Sequence, residues 1–152
     1  MSTSSAAKSL PKTQPILIVD DSPDDFEATK RAFSKASLRN EIQHCESGES
    51  ALAYLRSPTT ERPGIILLDL NMPGLDGRKT LEIIKKTESL KKIPIVILTT
   101  SSDERDVKAC YELGANTYIQ KPVDFDGLIA AIRRLKEYWF EIALLPKGNG
   151  DV

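Results

Sequence analysis

The chain has 152 residues, 40% of them hydrophobic and 28% charged, with a net charge of −1 at neutral pH. That length holds one domain with a substantial core, but not two comfortable ones. The balanced charge gives no electrostatic reason to expect nucleic acid or an anionic membrane as a partner, and no apolar run approaches a membrane span.

Residues 1–14 are rich in Ser, Ala and Lys and hold no apolar segment, so a signal peptide is rejected and a disordered lead-in expected. Ile16 to Val19 is a short, fully apolar, β-branched run, which suits a strand buried on both faces. Ser22 or Asp24 then offers a helix cap, and Phe26, Ala28, Ala32, Phe33 and Ala36 recur at helical spacing. Glu41 to Cys45 reads as a weaker strand. A helix opens at Ser47, carries Ala51, Leu52 and Leu55, and is stopped by Pro58. Gly64 to Leu68 is a second all-apolar strand, followed by turn chemistry at Asn71-Met72-Pro73-Gly74. Asp76 or Gly77 begins a helix with Leu81, Ile83 and Ile84, and Glu88 to Lys92 reads as a polar surface connector. Pro94 to Leu98 is a third buried strand. Ser102 or Asp103 caps a helix through Val107, Ala109, Cys110 and Leu113, which Gly114 ends. Asn116 to Ile119 is the last strand. A final helix begins at Asp124 and carries Leu128, Ile129, Ile132 and Leu135.

Five strands alternate strictly with five helices. Short connections of this kind favour right-handed crossovers and a parallel sheet covered on both faces, an α/β fold. Cys45 and Cys110 lie in apolar stretches with no ligand spacing and are expected as buried free thiols of a cytosolic protein. The single histidine, His44, has no ligand-spaced neighbour and is read as structural or superficial.

Ligands of parallel α/β sheets bind at the carboxyl ends of the strands. The first strand ends in Asp20-Asp21, the third in Asp69 and the fourth in Thr99-Thr100, while Lys121-Pro122 follows the fifth. Three crowded carboxylates stay ionised only if a cation compensates them. Oxygen ligands without imidazole or thiolate point to a hard cation, Mg²⁺ or Mn²⁺ before Zn²⁺. A lysine on the same rim suits a phosphoryl oxygen, Thr99 can donate to it, and one carboxylate can act as a nucleophile. Taken singly, Asp21-Ser22 is equally a helix cap and Asp69 a turn acid.

Residues 16–21 (Ile-Leu-Ile-Val-Asp-Asp), 67–77, 93–99, 114–118 and Lys-Pro-Val at 121–123 together resemble the receiver domains of two-component response regulators. The resemblance covers about residues 15 to 136, and those domains have a flavodoxin-like sheet with strand order 2-1-3-4-5. It implies that Asp69 is the phosphoacceptor and that Asp20 and Asp21 support the metal, joined by the backbone carbonyl of Asn71. It also implies that Thr99 is the switch hydroxyl, Tyr118 the aromatic that follows it, and Lys121 the ligand of a phosphoryl oxygen, with a cis bond to Pro122. The residue after the switch threonine is commonly Ala, Ser or Gly. Thr100 departs from that, and its methyl stands where the phosphoryl group enters.

Beyond residue 136 the sequence has no room for a helix-turn-helix module, so the domain is expected to act by binding a protein. The last helix, read as running from Asp124 to Leu144, spans about 30 Å. Its adjacent aromatics cannot all face one core. Residues 137–147 are therefore expected to extend the helix and make a two-fold homodimer through Tyr138, Trp139, Phe140, Ile142 and Leu145, leaving 148–152 as a disordered tail. This tail resembles that of the small single-domain regulators that partner phytochrome-type histidine kinases, which implies a cytoplasmic light-signalling protein and a phosphohistidine donor. Two other readings compete. A haloacid-dehalogenase-type phosphohydrolase uses Asp-x-Asp, but Asn71 stands two past Asp69 and no cap domain is available. A phosphorylation-independent adaptor has no reason to hold three mutually repelling acids.

Overall fold

The computed structural model describes residues 14–142, and side chains as far as residue 139. Of the disordered ends expected at 1–14 and 148–152, residues 1–13 and 148–152 lie outside the described residues, and Gln14 O accepts from Asn40 Nδ2 at 2.8 Å. Strands β1 (Ile16–Val19), β2 (Ile42–Cys45), β3 (Ile65–Leu68), β4 (Ile95–Thr99) and β5 (Thr117–Gln120) alternate with helices α1 (Pro23–Lys35), α2 (Gly48–Arg56), α3 (Gly77–Lys86), α4 (Glu104–Glu112) and α5 (Phe125–Lys136). All strand pairs are parallel and the sheet order is β2-β1-β3-β4-β5, as expected.

Strand side chains alternate between faces, and the all-apolar runs therefore supply two cores. Leu17, Val19, Ile66, Leu68, Ile95 and Ile97 pack with residues of α2, α3 and α4. Ile16, Ile18, Ile65, Leu67, Val96 and Leu98 pack with Phe33 of α1 and with Leu128, Ile132 and Leu135 of α5. Helix starts are set by side chains. Ser22, Ser47 and Asp76 each accept from the backbone N–H three residues on, and Ser47 completes a reciprocal capping box with Ser50. Gly114, at φ 107°, takes the left-handed conformation expected at the end of α4. Cys45 and Cys110 are buried and free.

Three expectations are corrected. The Lys121–Pro122 bond is trans: among the described residues no peptide bond is cis, and trans is the state an X-Pro bond favours by about 0.5–1 kcal/mol. The connector at 88–92 is not wholly superficial, because Leu90 is buried against the first core and anchors it there. The last helix does not run regularly to residue 144. After Lys136 it widens into a π-helix, Glu137–Ile142. That widening changes which side chains share a face. Trp139 turns against the α1/α5 core, while Tyr138 is 55% exposed and meets the Trp139 ring edge-on at 5.2 Å between centroids. The side chains of Phe140 and Ile142, and all of Leu145, lie outside the described residues.

Candidate functional site

The ladder continues one residue beyond each strand and fixes the rim. Asp20 N–H donates to Cys45 O (3.1 Å), Asp69 N–H to Val19 O (3.0 Å) and Lys121 N–H to Thr99 O (2.6 Å). Val19 pairs with Leu68, so the next residues, Asp20 and Asp69, come side by side. Carboxylate oxygens of Asp20, Asp21 and Asp69 lie within 4.8 Å of one another. Asp20 and Asp69 are buried and Asp21 is the most open of the three. The set offers only hard oxygen donors at chelating separation, so it fits a divalent cation of the Mg²⁺ and Mn²⁺ kind.

Lys121 crosses from β5 into this acid group. Its Nζ donates to Asp20 Oδ2 at 2.8 Å and to Asp25 Oδ2 at 3.2 Å, and stands 3.7 Å from Asp69 Oδ2. Its side chain is only 10% exposed. Burial pushes the ammonium pKa down, but Asp20, Asp69 and Asp25 outweigh it and hold the pKa above its usual value. For Asp20 the balance runs the other way. Burial raises its carboxyl pKa by more than the bonds from Lys121 and from Ser22 N–H (3.0 Å) lower it. A cation on the three acids would oppose that rise by favouring the ionised carboxylate.

Thr99 ends β4 with no exposure, and its Oγ1 accepts from Asn71 Nδ2 at 3.4 Å. Thr100 is exposed beside it. Asn71 N–H donates to Asp69 Oδ1 at 3.3 Å, so the turn after β3 closes on the Asp69 carboxylate. Gly74, at φ 72°, lets that turn reverse, and Glu49 Oε2 accepts from Leu75 N–H (3.2 Å). Tyr118 is partly buried, and its hydroxyl donates to Ser101 O (2.9 Å) in the loop after Thr99. The same loop is held by Ser101 Oγ donating to Asp106 Oδ2 (2.7 Å), and Arg78 Nη2 meets Asp106 Oδ1 at 2.8 Å. The Ser101 hydroxyl and the Arg78 guanidinium keep the Asp106 carboxyl below its ordinary range, against the effect of burial. His44 Nε2 donates to Asp20 O at 2.8 Å, with its ring stacked on Phe26, and so braces the first acid.

The structure thus brings Asp20, Asp21, Asp69, Asn71, Thr99 and Lys121 to one rim, with Tyr118 reaching the neighbouring loop. Tyr138 and Trp139 lie elsewhere, beside a groove of about 330 Å³ between β5 and α5 lined also by Ile119 and Leu135. Sequence reasoning missed Asp25, Arg78 and Asp106. Asp25 and Asp106 show only as first-turn helix acids, and Arg78 carries no sequence signal at all.

Acids, hydroxyl and ammonium at the carboxyl edge of a parallel sheet form the class of site that pairs a hard cation with a phosphoryl group. Residues 16–133 match the response regulator receiver domain. The chain is 37% identical over 135 residues to response regulator Rcp1 of Synechocystis sp. (strain ATCC 27184 / PCC 6803 / Kazusa), covering 86% of this chain and 92% of that one. It is also similar to the crystal structure of the phosphorylated cyanobacterial phytochrome response regulator RcpA, with TM-score 0.83 and 35% identity over 89% of this chain and 99% of the other. The Mn²⁺-bound form of Rcp1 gives TM-score 0.81 and 36% identity over 88% and 99%. The chain belongs to the response regulator receiver family.

Proposed function

We propose that the chain accepts a phosphoryl group on Asp69 from a histidine kinase of the phytochrome type, in the cytoplasm, and signals by changing shape. The observation that carries this reading is the placement of Asp69: within 4.8 Å of Asp20 and Asp21 and 3.7 Å from the Lys121 ammonium. The similarity to a phytochrome response regulator, RcpA, supports a donor of the phytochrome type. An Asp69 carboxylate oxygen attacks phosphorus, the phosphorus–nitrogen bond of the donor phosphohistidine breaks, and the leaving imidazole takes a proton from solvent. Bound Mg²⁺, held by Asp20, Asp21, Asp69 and the Asn71 carbonyl, would neutralise charge on the phosphoryl oxygens. Lys121 takes one of those oxygens and Thr99 donates to another. Thr99 Oγ1 only accepts from Asn71, so its O–H can donate to that oxygen, and its turn toward the phosphoryl group draws on the loop that Tyr118 and Asp106 hold. Self-catalysed transfer and hydrolysis are at most slow, and no other substrate is turned over.

Acetyl phosphate with Mg²⁺ should add one phosphoryl group by intact-mass spectrometry, and excess chelator should prevent it. Thr99→Ala should still be phosphorylated yet lose the accompanying change in amide exchange of the 100–106 loop. An unmodified wild-type mass would refute the phosphoacceptor reading, and an unaltered loop response in Thr99→Ala would refute the switch.

A homodimer through the last helix is the second part of the reading, made by Tyr138, Trp139, Phe140, Ile142 and Leu145. The half-exposed Tyr138 at the rim of the 330 Å³ groove favours it. Deleting residues 138–152 should halve the mass seen by light scattering. A truncated chain that keeps the full-length mass places the contact elsewhere.

A further inference from the structure

We infer that Asp25, in the first turn of α1, is a positioning residue that holds the Lys121 ammonium at the rim for the incoming phosphoryl group. The inference deepens the phosphoacceptor reading above and rests on it.

An ammonium has three N–H donors. In Lys121 one is given to Asp20 (2.8 Å) and one to Asp25 (3.2 Å), which leaves the third toward Asp69 at 3.7 Å. That is the direction from which a phosphoryl oxygen on Asp69 would come. Asp20 and Asp69 belong to the group of three acids suited to a cation, and Asp25 does not. Once a cation and a phosphoryl group are in place, the charges of Asp20 and Asp69 are compensated and pull less on Lys121. Among the described residues, Asp25 is then the one carboxylate bonded to Lys121 that the chemistry leaves free.

Its own position is fixed by the chain. Asp25 N–H donates to the Ser22 cap hydroxyl (3.1 Å), and Ser22 N–H donates to Asp20 Oδ1 (3.0 Å). Asp20, Ser22, Asp25 and Lys121 thus close a ring of hydrogen bonds that ties α1 to the end of β5, 96 residues away in sequence. A role in stability is a poor account of this contact. The Asp25 side chain is 49% exposed, so water screens its half of the pair and little stability is expected from it, although Lys121 is 10% exposed. A helix-dipole role is also a poor account, because Asp24 in the same turn supplies it equally well.

The test compares initial rates of phosphorylation by acetyl phosphate at saturating Mg²⁺ for wild type, Asp25→Asn, Asp25→Glu and Asp24→Asn. Loss of one charge-assisted hydrogen bond at the reacting site should slow Asp25→Asn roughly tenfold. Asp24→Asn, with the same change in net charge, should stay within about twofold, and Asp25→Glu should recover most of the loss. The midpoint of thermal unfolding, and its dependence on Mg²⁺ concentration, should be nearly unchanged in Asp25→Asn. A wild-type rate in Asp25→Asn, an equal slowing in Asp24→Asn, or a faster rate from relief of repulsion of the anionic donor would each overturn the inference. If the wild-type chain itself takes up no phosphoryl group, it is the phosphoacceptor reading that fails, and the positioning role falls with it.

Discussion

Asp69→Asn should take up no phosphoryl group from acetyl phosphate, a loss of at least about a thousandfold against the wild-type rate, while the chain stays folded. An amide oxygen is a far weaker nucleophile than a carboxylate, and no neighbouring base stands ready to activate it. The fold should tolerate the change because the local bond survives: the Asn71 N–H that meets Asp69 Oδ1 at 3.3 Å can meet the amide oxygen instead. Lys121 keeps its two shorter partners, Asp20 and Asp25. Taking one charge from three crowded carboxylates also relieves their repulsion. Without divalent cations the variant should therefore melt no lower than wild type by circular dichroism. Added Mg²⁺ should raise its melting temperature less, since the variant offers the cation one carboxylate fewer and stabilisation grows with the logarithm of ligand concentration over Kd. A phosphoryl group found on Asp69→Asn would move the acceptor to Asp20 or Asp21.

The rim was legible in the sequence because its acids directly follow all-apolar strand runs. An apolar run that ends abruptly in Asp20-Asp21, in Asp69 or in Thr99 marks where a buried strand meets solvent, and parallel topology brings such ends to one edge. The alternation of helices with strands implied a parallel sheet, but the strand order β2-β1-β3-β4-β5 was expected only through the family resemblance. What could not be read were contacts whose partners carry no local mark. Arg78 meets Asp106 across 28 residues, and Asn71 reaches Thr99 across another 28. Each is an ordinary helix or turn residue until the sheet is assembled. The polar connector hid Leu90, a single apolar residue among charges, too little to form a periodicity. The widening after Lys136 was invisible for a related reason. A run of aromatics is compatible with α- or π-helical spacing, and packing of Trp139 on the α1/α5 core accompanies the wider one.

Gly77 begins α3, as one of the two expected starts, but its second role carries no mark in the sequence. Its backbone conformation is not one reserved for glycine. What it provides is closeness: a Cβ there would lie 2.1 Å from Asp69 O and 2.7 Å from Leu70 Cα. Both are backbone atoms and cannot swing aside. Gly77 N–H donates to Leu70 O (3.1 Å), so the first turn of α3 rests on the chain immediately after β3. Gly77→Ala should gain up to about 1 kcal/mol of helix propensity, yet the overlap should cost more, leaving a net loss of about 2–3 kcal/mol in urea unfolding. The atom displaced is the carbonyl of the proposed acceptor itself. The variant should therefore also phosphorylate about tenfold more slowly at a temperature where it is fully folded, since small misplacements at a reacting centre are costly. Loss of stability with an unchanged rate would mean that α3 backs away and leaves Asp69 where it was. A wild-type unfolding midpoint would mean that the close approach is not needed at all.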